Sequence, residues 1–211
     1  MTVYFEGGLR TLEFAKPVLM LSPPHLQKEI NESAQAVATR IQDVEDFPIP
    51  GVTFKDMGPL WRDPVVSKRA IGAMILMVEQ AQGKPDCVVG IESRGFIFGP
   101  AMALHWDVPF VPFRKPGKLP GALNRVSYNL EYGSAALECQ ANALKSGMRV
   151  LIHDDVFATG GTARAAMQLV ESCDAETMAC AFIIELNGLN GREGWPLSSV
   201  DETCLSLVHY K

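Results

Sequence analysis

From Leu26 onward the apolar residues Ile30, Ala34, Val37, Ile41 and Val44 recur at steps of three and four. That spacing predicts one buried face of an amphipathic helix. The stretch from Asp46 to Gly51, with prolines at 48 and 50, breaks it. Asp63-Pro64, a cap residue followed by proline at the first helical position, opens a second helix that should stop near Gly83. Beyond it, short β-rich runs alternate with helical stretches. Strands are predicted at 86–91, 108–113, 150–152 and 179–186, and helices at 96–106 and 162–173. In the last of these, Ala166, Leu169, Val170 and Cys173 share a face. Strands separated by helices predict an α/β fold, a mostly parallel twisted sheet with helices on both faces. In such sheets ligands bind outside the carboxyl ends of the strands, so that is where chemistry should be sought.

Residues 1 to about 22 have no clear period and end in Ser22-Pro23-Pro24. We read 1–25 as an N-terminal appendage and 26–211 as a single domain, a size that one hydrophobic core can serve. The net charge of −5 gives no broad field for nucleic acid or for an acidic membrane. An anionic ligand must therefore be captured by a local cluster. Five cysteines without a C-x-x-C pair, and four scattered histidines, offer no metal-ligand spacing. They read as buried thiols in a reducing cytoplasm. No apolar run approaches the roughly 18 residues of a membrane span, and no secretory signal pattern opens the chain. A cytosolic location is expected.

The most informative stretch is Val150-Leu-Ile-His-Asp-Asp-Val-Phe-Ala-Thr-Gly-Gly-Thr162. A strand leads into Asp154 and Asp155, then a small-residue turn, Ala158-Thr159-Gly160-Gly161, and then a helix beginning at Thr162. The glycines let backbone amides approach an anion, and the helix start with its dipole favours phosphate. Thr159 and Thr162 add hydroxyl donors. Two carboxylates beside a phosphate site make sense if the ligand also carries a vicinal diol, which donates charge-assisted hydrogen bonds to them. Phosphate plus ribose hydroxyls describes a 5-phosphoribosyl group. Neither G-x-x-x-x-G-K-[ST] nor a strand followed by G-x-G-x-x-G occurs. Gly90-Ile-Glu-Ser-Arg-Gly95, between a strand and a helix, joins amides at a helix start to one guanidinium, a second anion site. Arg114 to Gly121 mixes three cations with prolines and glycines, and by composition alone reads equally as a solvated basic loop.

The 150–162 stretch resembles the phosphoribosyl pyrophosphate (PRPP) signature of the type I phosphoribosyltransferases. Further segments are similar to the adenine-using branch of that family: Asp46 to Asp56, Gly90 to Gly99, Arg114 to Gly121, Leu130-Glu-Tyr-Gly133 and Gly191-Arg-Glu193. The resemblance covers roughly residues 35–208. It implies a small hood and a flexible lid, about 114–132, added to the sheet. It implies that Asp154, Asp155, Ala158, Thr159, Gly160, Gly161 and Thr162 bind PRPP, with its pyrophosphate at Ser93 and Arg94 beside a cis Glu92–Ser93 peptide. Arg114, Lys115 and Lys118 would reach the pyrophosphate from the lid, Arg114 across a homodimer interface. Phe54 would stack on adenine while the main chain of Thr53 and Lys55 reads its edge. Glu131 would act near N7 of the base, with Tyr132 closing over the site. Such chemistry forms an oxocarbenium-like ribose that a lid must shield from water. It calls for Mg²⁺, carried by the oxygens of PRPP itself. The expected substrates are adenine and PRPP, and the expected product is AMP.

Two other readings compete. A 6-oxopurine transferase would share Asp154 to Thr162 but should lack the L-E-Y-G and V-T-F-K-D segments. A PRPP-sensing regulator would need a basic DNA-binding module, yet residues 1–45 hold four Lys or Arg against six Asp or Glu.

Overall fold

The computed structural model describes the backbone of residues 2–5, 8–14, 24–130 and 133–211, and the side chains of 24–128 and 135–211. In chain order the elements begin with β1 (Thr2–Phe5), β2 (Gly8–Phe14), α1 (Pro24–Ala38), β3 (Gln42–Val44) and β4 (Phe54–Asp56). There follow α2 (Gly58–Arg62), α3 (Pro64–Gln82), β5 (Cys87–Ile91), α4 (Gly95–Trp106) and β6 (Phe110–Phe113). The remainder comprises β7 (Leu123–Leu130), β8 (Gly133–Gln140), β9 (Arg149–Phe157), α5 (Gly161–Glu171), β10 (Glu176–Leu186), α6 (Val200–Thr203) and β11 (Cys204–Tyr210).

The main sheet has the order β1-β2-β11-β10-β9-β5-β6. Its five strands from β11 to β6 run parallel, while β2 joins β11 antiparallel and β1 joins β2. Alternate residues of each central strand feed opposite cores, as the two-residue period of a strand requires. Val88, Leu151, Ala181 and Ile183 pack beneath α1 to α4. Val89, Ile152, Cys180 and Phe182 face the other way, against α5 and the β7–β8 hairpin. Both faces are covered, the arrangement expected of an α/β protein.

Asp63 caps α3 by accepting hydrogen bonds from the amides of Val65 and Val66, and Gly83 ends it at φ +78°. Elsewhere the boundaries moved. The first helix stops at Ala38, not near Val44, because 42–44 form β3 and pair with β4. Ile41 stays buried after the turn, so the apolar spacing ran on beyond the helix that began it. The strand predicted at 150–152 continues to Phe157, since β10 pairs with it as far as Glu185↔Phe157. Asp154 and Asp155 are thus strand residues. The strands β1 to β4, β7, β8 and β11 and the short helices α2 and α6 had no counterpart in the predicted elements.

One close approach sets the geometry of the ligand end. The first residue of α4, Gly95, lies so near β9 that a Cβ there would overlap the carbonyl oxygen of His153. This draws the start of α4 against the strand bearing Asp154. Gly95→Ala should therefore lower Tm, even though alanine exceeds glycine in helix propensity by about 1 kcal/mol. A calorimetric Tm at or above that of the parent would show that α4 has room to spare.

Candidate active site

β5 and β9 are neighbours, and their carboxyl ends carry the two anion-binding turns side by side. After β9, Gly160 sits at φ +79°, in the left-handed region that suits glycine. α5 starts immediately after it, so its free amides open toward the end of the strand. After β5, the Glu92–Ser93 peptide is cis, and the chain passes through Arg94 into α4.

Asp155 is buried, and its Oδ2 lies 2.8 Å from Nε of half-exposed Arg94. Asp154 Oδ1 accepts a hydrogen bond from the Asp155 amide at 2.9 Å. Burial pushes the Asp154 carboxyl well above the usual carboxylate range, and repulsion from Asp155 adds to it. Burial also raises Asp155, against the pull of Arg94. The two turns are thus tied by one ion pair across a strained acidic pair.

A cleft of about 540 Å³ opens over this point, lined among others by Glu92, Arg94, Lys115, Tyr128, Asp154 and Thr162. Arg114 is turned onto Glu92, with Nε and Nη2 each 3.3 Å from a carboxylate oxygen. The Lys115 amide donates to the same carboxylate at 2.8 Å. Burial pushes Glu92 up, but the Lys115 amide and Arg114 outweigh it and hold the carboxyl below its ordinary value. Lys118 is exposed and lies outside that lining, although its carbonyl accepts from Arg114 Nη1. Ser93 and Thr159 are exposed, while Ala158, Gly160 and Gly161 form the turn after β9.

The β3–β4 hairpin carries Thr53, Phe54 and Lys55, the residues expected of a base pocket. Phe54 meets Phe47 edge to face at 5.3 Å, and the Arg94 guanidinium lies 5.9 Å from its ring. Arg94 therefore touches both the acidic pair and the aromatic platform. The Thr53 hydroxyl donates to Glu45, while Lys55 Nζ pairs with Asp43 at 2.9 Å and sits 4.3 Å over the Tyr210 ring. These side chains anchor the hairpin, and Lys55 lies opposite Asp43 in its ladder. Glu131 and Tyr132 lie outside the described residues.

Sequence reasoning missed several contributors. Tyr128 stands over the cradle, with Oη 3.4 Å from Thr162 Oγ1, yet the sequence assigned it no role. Glu138 is buried, accepts from the Gly117 amide and pairs with Arg125, fixing the base of the 114–121 loop. Nothing in its sequence surroundings signals that task.

A family model described as "Phosphoribosyl transferase domain" matches residues 64–205. An adenine phosphoribosyltransferase of Nitrosococcus oceani is 49% identical over 177 residues, covering 83% of this chain and 99% of that protein. One of Prochlorococcus marinus is 49% identical over 160 residues, covering 74% and 90%. Among solved structures, the adenine phosphoribosyltransferase of Rhodothermus marinus superposes with a TM-score of 0.75 at 45% identity, covering 83% of this chain and 97% of that one. The Saccharomyces cerevisiae protein, complexed with an imino-altritol bisphosphate and adenine, gives 0.74 at 43% identity, covering 77% and 93%.

The acidic pair has a measurable consequence. A carboxyl whose pKa is higher in the folded than in the unfolded chain opposes folding once it ionises. The penalty is absent below the unfolded value, 3.8 for Asp154, and grows as pH climbs toward the folded one. Asp154→Asn should therefore gain almost no stability near pH ~4 and most near pH ~8. Thermal melts at the two pH values check this. An equal gain at both, or none at the higher, would contradict a carboxyl raised by burial and by its neighbour.

Proposed function

The chain belongs to the phosphoribosyl transferase domain family, on its adenine phosphoribosyltransferase branch, and from that premise we propose that it joins adenine to PRPP, releasing AMP and pyrophosphate. The observation that carries this reading is the acidic pair beside the amides of α5, Asp155 buried and Asp154 half-buried at the cleft. A phosphate alone would be repelled there, whereas a phosphoribosyl group answers both features.

In this reading the ribose hydroxyls donate to Asp154 and Asp155, and the 5-phosphate sits on the amides and hydroxyls of Ala158 to Thr162. The pyrophosphate lies over Ser93 and Arg94, with Arg114, Lys115 and Lys118 closing on it from the lid, about 114–132. Arg94 then exchanges Asp155 for the pyrophosphate as the ribose hydroxyls take its place. Adenine stacks on Phe54, its edge read by the main chain of Thr53 and Lys55. The bond from the ribose anomeric carbon to pyrophosphate breaks, with its electron pair leaving on the pyrophosphate. N9 bonds to that carbon and its proton passes to the departing pyrophosphate, while protonated Glu131 donates a hydrogen bond to N7 and keeps its proton overall, and Tyr132 shields the site.

Among the described residues no three His, Cys, Asp or Glu side chains gather to hold a metal. Mg²⁺ would suit this site as a hard cation brought in by the oxygens of PRPP, with Asp154 and Asp155 as the carboxylates that would help hold it. Bound there, it would supply positive charge to offset that of the leaving group.

The working unit is proposed to be a homodimer. α4 is apolar on every side, and Ile97 and Leu104 on its outer face are 42% and 81% exposed, as befits a helix that a second copy covers. The transferase domain is taken as 26–211, with residues 1–25 as an appendage whose β2 extends the sheet edge beside β11. Among the described residues no helix is long and apolar enough to cross a membrane. The free cysteines suit a reducing cytoplasm.

AMP formation from adenine, PRPP and Mg²⁺, with hypoxanthine, guanine and xanthine in parallel, tests the reading. Adenine is expected to react almost exclusively; turnover of a 6-oxopurine without adenine would contradict it. Glu131→Gln should lower kcat by about 10²–10⁴ with PRPP affinity nearly intact, the scale for loss of a positioned general acid. Unchanged kcat would withdraw that role. Exhaustive chelation should abolish turnover and added Mg²⁺ restore it; persistence of full activity would remove the metal from the scheme.

A further inference from the structure

Arg164 belongs to no part of the machinery described above, yet it makes the densest set of backbone contacts near the phosphate turn. It sits in the first turn of α5, where its own amide donates to Gly160 O at 3.0 Å. Its guanidinium then folds back. Nη1 donates to the carbonyl of Thr159 at 2.9 Å, and Nη2 to the carbonyls of Gly191, at 2.7 Å, and Glu193. Three acceptors from two separate loops converge on one planar fork. A surface arginine with no task would stay solvated instead of spending its donors on carbonyls.

The fit around this fork is tight. A Cβ at Gly160 would overlap the guanidinium and come within 2.8 Å of Gly191 O. A Cβ at Gly191 would in turn overlap the carbonyl of Ala158. The 191–193 turn is itself fixed, because Arg192 makes a two-pronged bond to buried Glu185 at 2.7 and 2.8 Å and reaches Asp201 at 3.0 Å. The phosphate turn is thus bolted through Arg164 to a second turn that is anchored to β10.

The orientation matters more than the rigidity. In a trans peptide the carbonyl and the amide point in opposite directions. Holding the Thr159 carbonyl on the Arg164 side aims the Gly160 amide away from it, toward the open side where an anion would lie. We propose that Arg164 is a positioning residue for PRPP. It turns the Thr159–Gly160 peptide so that its amide meets the 5-phosphate, and it does so from behind the turn without touching the ligand. This rests on the PRPP reading of the preceding section.

The test compares Arg164→Ala with Arg164→Lys. PRPP affinity is measured by calorimetry in the presence of Mg²⁺, adenine KM by kinetics, and Tm on the same samples. Arg164→Ala should weaken PRPP at least tenfold, with adenine KM within about threefold of the parent. Arg164→Lys keeps the charge but has no planar fork, so it should also lose several-fold in PRPP affinity. Methylguanidinium added to Arg164→Ala should recover part of the loss. Parent-like affinity in Arg164→Lys would mean that only charge matters and would overturn the proposal. So would unchanged PRPP affinity in Arg164→Ala, or equal losses for both substrates with a lowered Tm. Parent protein that binds PRPP without making AMP would count against the transfer reaction alone, since the brace is read from binding.

Discussion

Two adjacent carboxylates at the end of a central parallel strand repel each other, and burial removes much of the water that would soften that repulsion. Such a pair persists only if something else in the molecule requires it. In the free protein a single guanidinium, Arg94, stands against Asp155, and the neighbouring Asp154 is driven toward its protonated form. Much of the local architecture serves to hold this conflict in place. Gly95 draws α4 against β9, the Glu92–Ser93–Arg94 turn delivers the counter-charge, and β10 pairs along β9 to its last residue. In the proposed reading, a ligand bringing hydroxyl donors relieves the conflict and frees Arg94 for the anion next to it. Binding and preparation of the leaving group then become one event.

The surroundings follow a similar economy. Arg114 and Lys115 are parked on Glu92, so the cationic loop is held at its root while its far end, from Pro116 to Gly121, is exposed apart from half-buried Leu119. Glu138 grips the same loop from the β8 side. Phe54, the proposed base platform, lies beside Arg94, the charge proposed to move when PRPP binds. Arg94 therefore bridges the acidic pair and Phe54.

What could be read from the chain divides along physical lines. The phosphate turn was legible because backbone recognition of an anion demands glycines and small residues at fixed steps, and such demands are written locally. The α/β alternation was legible from the change of period after Gly83. The Arg94–Asp155 pair was not, because it joins residues distant in sequence and no local pattern encodes a partner. Arg164 was invisible for a different reason: its acceptors are main-chain carbonyls, which every residue has. The overrun of the first helix came from Ile41, buried after the turn and so in phase with a helix that had ended at Ala38. β11 went unnoticed because its fully buried run, Cys204 to Tyr210, mixes apolar with polar residues such as Ser206 and His209.

The central claim is that ribose hydroxyls relieve the buried acidic pair, and proton counting tests it most directly. PRPP with Mg²⁺ would be titrated into the protein at pH ~7.5 in buffers of different ionisation enthalpy, so that the protons exchanged on binding are read from the buffer dependence of the heat. Relief of the pair lowers the pKa of Asp154, so binding should release a fraction of a proton per site beyond that released by the ligand. Asp154→Asn should abolish the excess. No excess release in the parent protein, or the same release in Asp154→Asn, would contradict the claim.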